Sequence, residues 1–237
     1  SFFFSFDPFT EQFTQYVTAE PQLSTYGNQT GVVNYPISRP YWIEADLQGR
    51  LVFNEQTANN ISVMDPKSQS LVEYHIPSKN PHWADCDPGT GVMLDNCGVA
   101  QIFDFTIYGE KIWFTEWVEN NIGVVDTSVP LPIEIQLESD SLTLAPGDSQ
   151  SLNFVVSPKS QKDMLNVSLI LSTTHEFLKI DLVNDIPGTF QLDFDAPQPI
   201  LATITASEDA TPGTYKVLLG AQSPDIAISK FVTVTIE

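Results

Sequence analysis

The chain has 237 residues, 10 of them basic and 30 acidic, for a formal charge of −20. So acidic a surface repels phosphate, which excludes a nucleic-acid binder built on a basic groove and a dock for anionic lipid. Apolar residues make up 42%, enough for packed cores, and no run nears the ~20 apolar residues of a helical membrane span.

No window keeps the i, i+3, i+4, i+7 apolar spacing of a helix. Short alternating or β-branched runs recur instead, such as Leu51-Val52-Phe53, Ile112-Trp113-Phe114 and Phe231 to Ile236, and 17 prolines punctuate the turns. The predicted fold class is all-β. At the start, Ser1 to Asp7 is apolar but short, with neither a basic flank nor a small-residue cleavage site, so it does not read as a signal peptide.

A repeat organises the first half. Leu51 to Asp65 (LVFNEQTANNISVMD) and Ile112 to Asp126 (IWFTEWVENNIGVVD) align without gaps at an offset of 61, with seven of fifteen positions identical. A partial copy opens the chain at an offset of 58. Phe4-Ser5-Phe6-Asp7-Pro8 and Phe13-Thr14-Gln15-Tyr16 parallel Ser62-Val63-Met64-Asp65-Pro66 and Leu71-Val72-Glu73-Tyr74. Each unit reads as four short strands joined by an Asn-rich and an Asp-Pro turn, which is the pattern of a propeller blade. Two stretches fall outside it, within Gln22 to Ser38 and within Asp85 to Gly98. Both lie between one blade's last strand and the next blade's first, so they project from one face, the expected contact surface.

Residues 1–129 are therefore predicted to be the C-terminal part of a β-propeller with two insertions. About two and a half blades cannot close a ring of about four to eight. The remaining blades are expected upstream, in a longer protein. Residues 130–132, Pro-Leu-Pro, form a linker. Residues 133–237 carry about eight alternating strands and Pro-Gly turns, as in an immunoglobulin-like β-sandwich. Its expected core is Phe154, Val156, Leu169, Leu171, Leu192, Ile204, Tyr215 and Val217.

Gly109 to Glu116 (GEKIWFTE), Asn120 to Asp126 (NNIGVVD) and Leu71 to Pro77 (LVEYHIP) resemble the repeats of streptogramin (virginiamycin B) lyase-like β-propellers. Leu142 to Ser149 (LTLAPGDS) and Ala210 to Val217 (ATPGTYKV) resemble NEW3-like immunoglobulin-like domains, as in archaeal and other extracellular surface proteins. For the lyases, the resemblance implies a histidine general base, an acidic partner and a magnesium ion. The two stretches where that histidine would stand, Tyr41 to Asp46 and Gln101 to Thr106, contain none. Glu55 and Glu116 match the repeat's Glu and read as blade-turn residues.

The remaining candidates are few. Cys86 and Cys97 stand 11 apart around Asp87-Pro88-Gly89, too far for a Cys-x-x-Cys motif, and are expected to form a disulfide in an oxidising, extracytoplasmic setting. Glycosylation sequons begin at Asn28, Asn60 and Asn166. His82, Trp83, Asp85 and Asp87, in the second insertion, form a candidate binding loop. His75 and His175 are expected at the surface. Tyr26, Tyr35 and Trp117 could anchor a contact, although blade packing is the expected role of Trp113 and Trp117. No catalytic residue, metal ligand or cofactor is assigned. Calcium or magnesium would fall to carboxylate pairs such as Asp85/Asp87 or Asp193/Asp195, neither of which has the spacing of a known loop.

These features predict an acidic, extracellular or cell-surface glycoprotein, non-catalytic, that binds or builds. As a binding or structural subunit it would present propeller loops to a protein or glycan partner. The alternative is a magnesium-dependent streptogramin-lyase-like enzyme whose catalytic residues lie in upstream blades.

Overall fold

The computed structural model describes residues 2–21, 37–79, 99–159, 165–183 and 186–237. Every regular element among them is a strand. The chain divides into two compact units. One comprises Glu20–Pro66 and Val72–Pro130; the other comprises Phe2–Ala19, Lys67–Leu71 and Leu131–Glu237.

The N-terminal hairpin pairs β1 (Phe2–Asp7) with β2 (Gln12–Val17) antiparallel, with Phe6 opposite Phe13 and Phe4 opposite Gln15. In the first unit, β3 (Pro40–Ala45), β4 (Leu51–Glu55), β5 (Asn60–Asp65) and β6 (Ser70–His75) lie side by side in chain order. A second sheet, β7 (Ile102–Tyr108), β8 (Lys111–Glu116) and β9 (Asn121–Asp126), repeats the meander with three strands.

The turn residues explain why the same sequence yields the same shape. Asn59 and Asn120, 61 apart, both take a left-handed conformation, with φ of 58° and 59°. Asparagine tolerates that conformation because its short polar side chain bonds locally. Glu11 and Gln69, 58 apart, share the conformation too, at 57° and 53°. The partial repeat seen in sequence is thus a repeat in backbone geometry.

The two meanders of the first unit share one apolar core. Val52, Ile61, Val63 and Ile76 from the first pack with Ile102, Phe105, Ile112, Phe114 and Val125 from the second. Asn54 joins the same two sheets: its Oδ1 accepts from Trp42 N at 2.8 Å, and its Nδ2 donates to the Ile102 carbonyl at 2.7 Å. Asn54 is fully buried, so each of these bonds removes a desolvated polar atom from the cost of folding.

The second unit adds nine strands. They are β10 (Ile133–Leu137), β11 (Ser141–Leu144), β12 (Ser149–Pro158), β13 (Leu165–Ser172), β14 (Leu178–Leu182), β15 (Thr189–Leu192), β16 (Gln198–Ala206), β17 (Gly213–Gln222) and β18 (Ile226–Ile236). One sheet runs β10-β12-β16-β14. The other contains β15-β13-β17-β18, with β11 parallel to β18. Phe154, Val156, Leu192, Ile204 and Val217 are buried as predicted. Leu169, Leu171 and Tyr215 are only half-buried; Val167 and Ile170 take the interior of β13. β13 pairs with β15 up to Ser168 and with β17 from Ser168 onward, and the two-residue alternation read from sequence breaks at that change of neighbour.

Tyr215 has a specific task instead. Its hydroxyl donates to the Thr211 carbonyl at 2.8 Å, and its ring meets His175 and Phe177 edge-on, at 4.7 and 5.0 Å. His175, expected in solvent, therefore belongs to an aromatic cluster. Burial lowers its pKa below the ordinary value near 6.5. Because the folded value lies below the unfolded one, the unfolded chain binds more protons between them. Stability is then independent of this group above about pH 6.5 and falls as pH drops through that value toward the folded pKa. Urea titrations from pH 7.5 downward should show this slope, and His175→Gln should remove it.

The hairpin is held in the second unit by Tyr16. Its ring packs on Phe3 and meets Phe231 edge-on at 5.0 Å, with the Lys216 ammonium 5.9 Å from its centroid. Lys216 Nζ also donates to Gln69 Oε1 and Thr233 Oγ1, each at 2.8 Å. Burial there lowers its pKa, opposed by the charge of Asp140.

Candidate functional site

Carboxylates of the repeat come first, because they are the residues a catalyst would need. Glu55 and Glu116 end β4 and β8 and are buried. Ser62 Oγ donates to Glu55 Oε1. Glu116 accepts from Ser78 Oγ at 2.9 Å and Asn121 Nδ2 at 3.2 Å. The adjoining Asn59 donates through Nδ2 to the carbonyls of Ile76 (3.0 Å) and Ser78 (2.9 Å). These bonds clamp the Asn-rich turn to the following segment. Residues 102–126, which form β7 to β9, hold no histidine to share a proton with Glu116.

His75 is half-buried, its Nδ1 2.8 Å from the Asn60 side-chain amide. Asn60 is 3% exposed. Asn166, on β13, is exposed. Asn28, Tyr26, Tyr35, His82, Trp83, Asp85, Asp87, Cys86 and Cys97 lie outside the described residues. Asp193 and Asp195 are exposed. Among the described residues, no group of three or more His, Cys, Asp or Glu converges on a metal-sized site. No helix among them is long and apolar enough to cross a membrane.

The most distinctive surface is one face of the β7-β8-β9 sheet. Trp113 lies between Thr106 and Val124 in the pairing, and Thr115 lies opposite Ile122. With Asp104, Phe105 and Phe114, most of these residues line an open groove of about 370 Å³. Trp113 is 42% exposed, Ile122 75% and Val124 47%. At the same positions in the preceding repeat, 61 residues earlier, Val52, Ile61 and Val63 are 1%, 0% and 5% exposed. What buries them is the opposite face of the next repeat, through Ile112, Phe114 and Val125. Among the described residues, face-to-face stacking is thus completed once in the first unit, and Trp113, Ile122 and Val124 of the second repeat sheet stay exposed.

Sequence reasoning missed this face. It expected Trp113 and Trp117 to be packing residues, yet Trp117 is 65% exposed, its ring tilted against Phe103 at 4.9 Å, and Phe103 in turn lies 5.8 Å from Tyr41. The available signal was the alignment itself: positions filled by Val52 and Val63 in a covered sheet should be apolar in any sheet meant to be covered.

No family model matches the chain, and no curated protein does. Similar solved structures include a family 123 glycoside hydrolase from Clostridium perfringens, at 10% identity and TM-score 0.34, over 44% of this chain and 27% of that one. Escherichia coli alpha-2-macroglobulin gives 18% identity and TM-score 0.34, over 54% of this chain and 8% of that one. Domains 4 and 5 of the S-layer protein SbsC give 11% identity and TM-score 0.31, over 82% of this chain and 89% of that one. The chain thus spans about a quarter or less of the first two. At these scores the likeness assigns no fold family.

Proposed function

We propose that this chain is an extracellular, non-catalytic binding or structural module whose working surface is the uncovered face of the last repeat. In this reading residues 40–126 are two stacked blades of a β-propeller that further repeat sheets would extend, and residues 133–237 are an immunoglobulin-like sandwich. The tyrosine hydroxyl of Tyr215, bonded to backbone four residues upstream, supports the sandwich reading, since such a corner recurs in that fold. The observation that carries the function is the contrast between Trp113, Ile122 and Val124, which are open, and Val52, Ile61 and Val63, which are closed. A contiguous apolar face on a chain of charge −20 marks a contact site. Protein or glycan partners at the two insertions remain part of this proposal.

The test is assembly size in the organism that encodes the chain. Wild type should run in an assembly larger than one copy. The double variant Ile122→Asp/Val124→Asp should run smaller while keeping its circular dichroism. Equal sizes for the two would contradict the reading.

An extracellular setting carries a second expectation, that Cys86 and Cys97 form a disulfide. In the chain-entropy model a loop of this length contributes about 2–3 kcal/mol. Intact-mass analysis with a thiol-alkylating reagent should add no label to native material and two labels after reduction. Two labels before reduction would remove both the bridge and the argument for an oxidising compartment.

A further inference from the structure

The first unit carries a row of aromatic rings apart from the Trp113 groove. The first strands of both repeats are bulged near their start, β3 between Pro40 and Ile43 and β7 between Ile102 and Phe105. Bulges re-aim side chains, and each of these presents an aromatic ring to solvent. Tyr41 is 59% exposed, Phe103 39% and, on the turn after β8, Trp117 65%. Phe103 joins the other two, 5.8 Å from Tyr41 and 4.9 Å from Trp117, with the ring planes tilted by 35° and 38°.

The backbone beneath the row is held in place. Asn54, fully buried, ties the two bulges together: it accepts from Trp42 N at 2.8 Å and donates to the carbonyls of Ile102 at 2.7 Å and Phe103 at 3.3 Å. The Trp117 turn is tied to the entry of β7, with Trp117 N donating to the Gln101 carbonyl at 2.9 Å and Val118 N to that of Ala100 at 3.0 Å. Gln101 takes a left-handed φ of 56° at that junction. A non-glycine residue adopts it at a cost, and keeps it only where the surroundings impose it. All three rings therefore stand on a support that is ordered in advance, which lowers the cost of ordering them on binding. Tyrosine and tryptophan so presented are the side chains that most often anchor a contact.

Electrostatics select the occupant. The face of an aromatic ring is the negative side of its quadrupole and attracts cations. The first unit, over Glu20–Pro66 and Val72–Pro130, has four basic and fourteen acidic side chains. Ring faces and overall field thus both favour a cation and disfavour an anion. Among cationic side chains, the guanidinium is planar, weakly hydrated and stacks on rings, whereas the ammonium is compact and strongly hydrated. We propose that the Tyr41/Phe103/Trp117 row docks arginine side chains from a basic segment of a partner protein. This site does not rest on the Trp113 face, and either can fail without the other.

Calorimetric titration of the purified chain with two peptides of equal charge, tetra-arginine and tetralysine, tests this. Wild type should bind the arginine peptide about fivefold or more tighter than the lysine peptide. The preference should outlast added salt, which screens the attraction that both peptides share. The variant Tyr41→Leu/Trp117→Leu keeps the charge of the chain and should erase the preference. Tyr108→Leu, which removes an 82% exposed ring outside the row, should bind as wild type does. Circular dichroism checks the fold of each; should the double variant unfold, Trp117→Leu alone carries the test. Equal affinity of wild type for the two peptides overturns the proposal, since the field alone then accounts for binding. So does a preference that the ring variant retains. A neutral cello-oligosaccharide that binds wild type but not the ring variant, with no arginine preference, would assign the row to a glycan and overturn the proposal as well.

Discussion

Gly220→Ala should be strongly destabilising. Gly220 sits in β17 between Ile170 of β13 and Ser229 of β18. A Cβ placed on it would lie 2.3 Å from the Ile228 carbonyl oxygen and 2.6 Å from Ser229 Cα. Those atoms belong to a paired backbone and cannot rotate away, so β18 must be pushed off its register. The cost should be about 3 kcal/mol or more, at the upper end of overpacking penalties. For a chain of this size that corresponds to a drop of roughly 10 °C in the melting of the second unit. Gly188→Ala, where an added Cβ meets nothing within 4 Å, is the control and should melt near wild type.

Phe114→Ala is the second large effect. Phe114 is 3% exposed in the core that stacks the two repeats, and removing a buried phenylalanine costs about 3–5 kcal/mol. Its neighbour Trp113 points to the other side of the same strand. Trp113→Ala removes a larger ring, yet in dilute monomer it should cost only about 0.5 kcal/mol, as surface substitutions do. Chemical denaturation of the two variants separates the covered face from the open one. Gly123 reports on the same packing. A Cβ there would come within 2.1 Å of the Phe114 ring, so this ring lies against the strand opposite it and fills the space between the sheets.

The repeats were legible because each carries its own turn chemistry. Asn59 and Asn120, and Glu11 and Gln69, bend the backbone alike whatever surrounds them. The core of the second unit was legible at Phe154 and Val156, where strict alternation meets a strand paired on both sides. It failed at Leu169 and Leu171 because β13 changes neighbour midway, and no local pattern records a neighbour. The same limit hid the candidate site. An apolar residue in a strand says that its face is fit for covering; whether a cover is present depends on another sheet. Trp113 and Val52 therefore look alike in sequence and differ fully in exposure. Tyr16 illustrates the converse: alignment assigns it to a blade's outer strand, and tertiary contact gives it to Phe231 and Lys216.

The central claim is that the face bearing Trp113, Ile122 and Val124 is open in the isolated chain and covered when the protein works. Hydroxyl-radical footprinting with mass spectrometry measures this directly, comparing dilute purified chain with the native assembly from its own organism. The account predicts that Trp113 and Ile122 oxidise readily in the dilute chain and are protected in the assembly, while Tyr108, 82% exposed at the edge of the same sheet, changes less. Equal oxidation of Trp113 and Ile122 in both samples would contradict it.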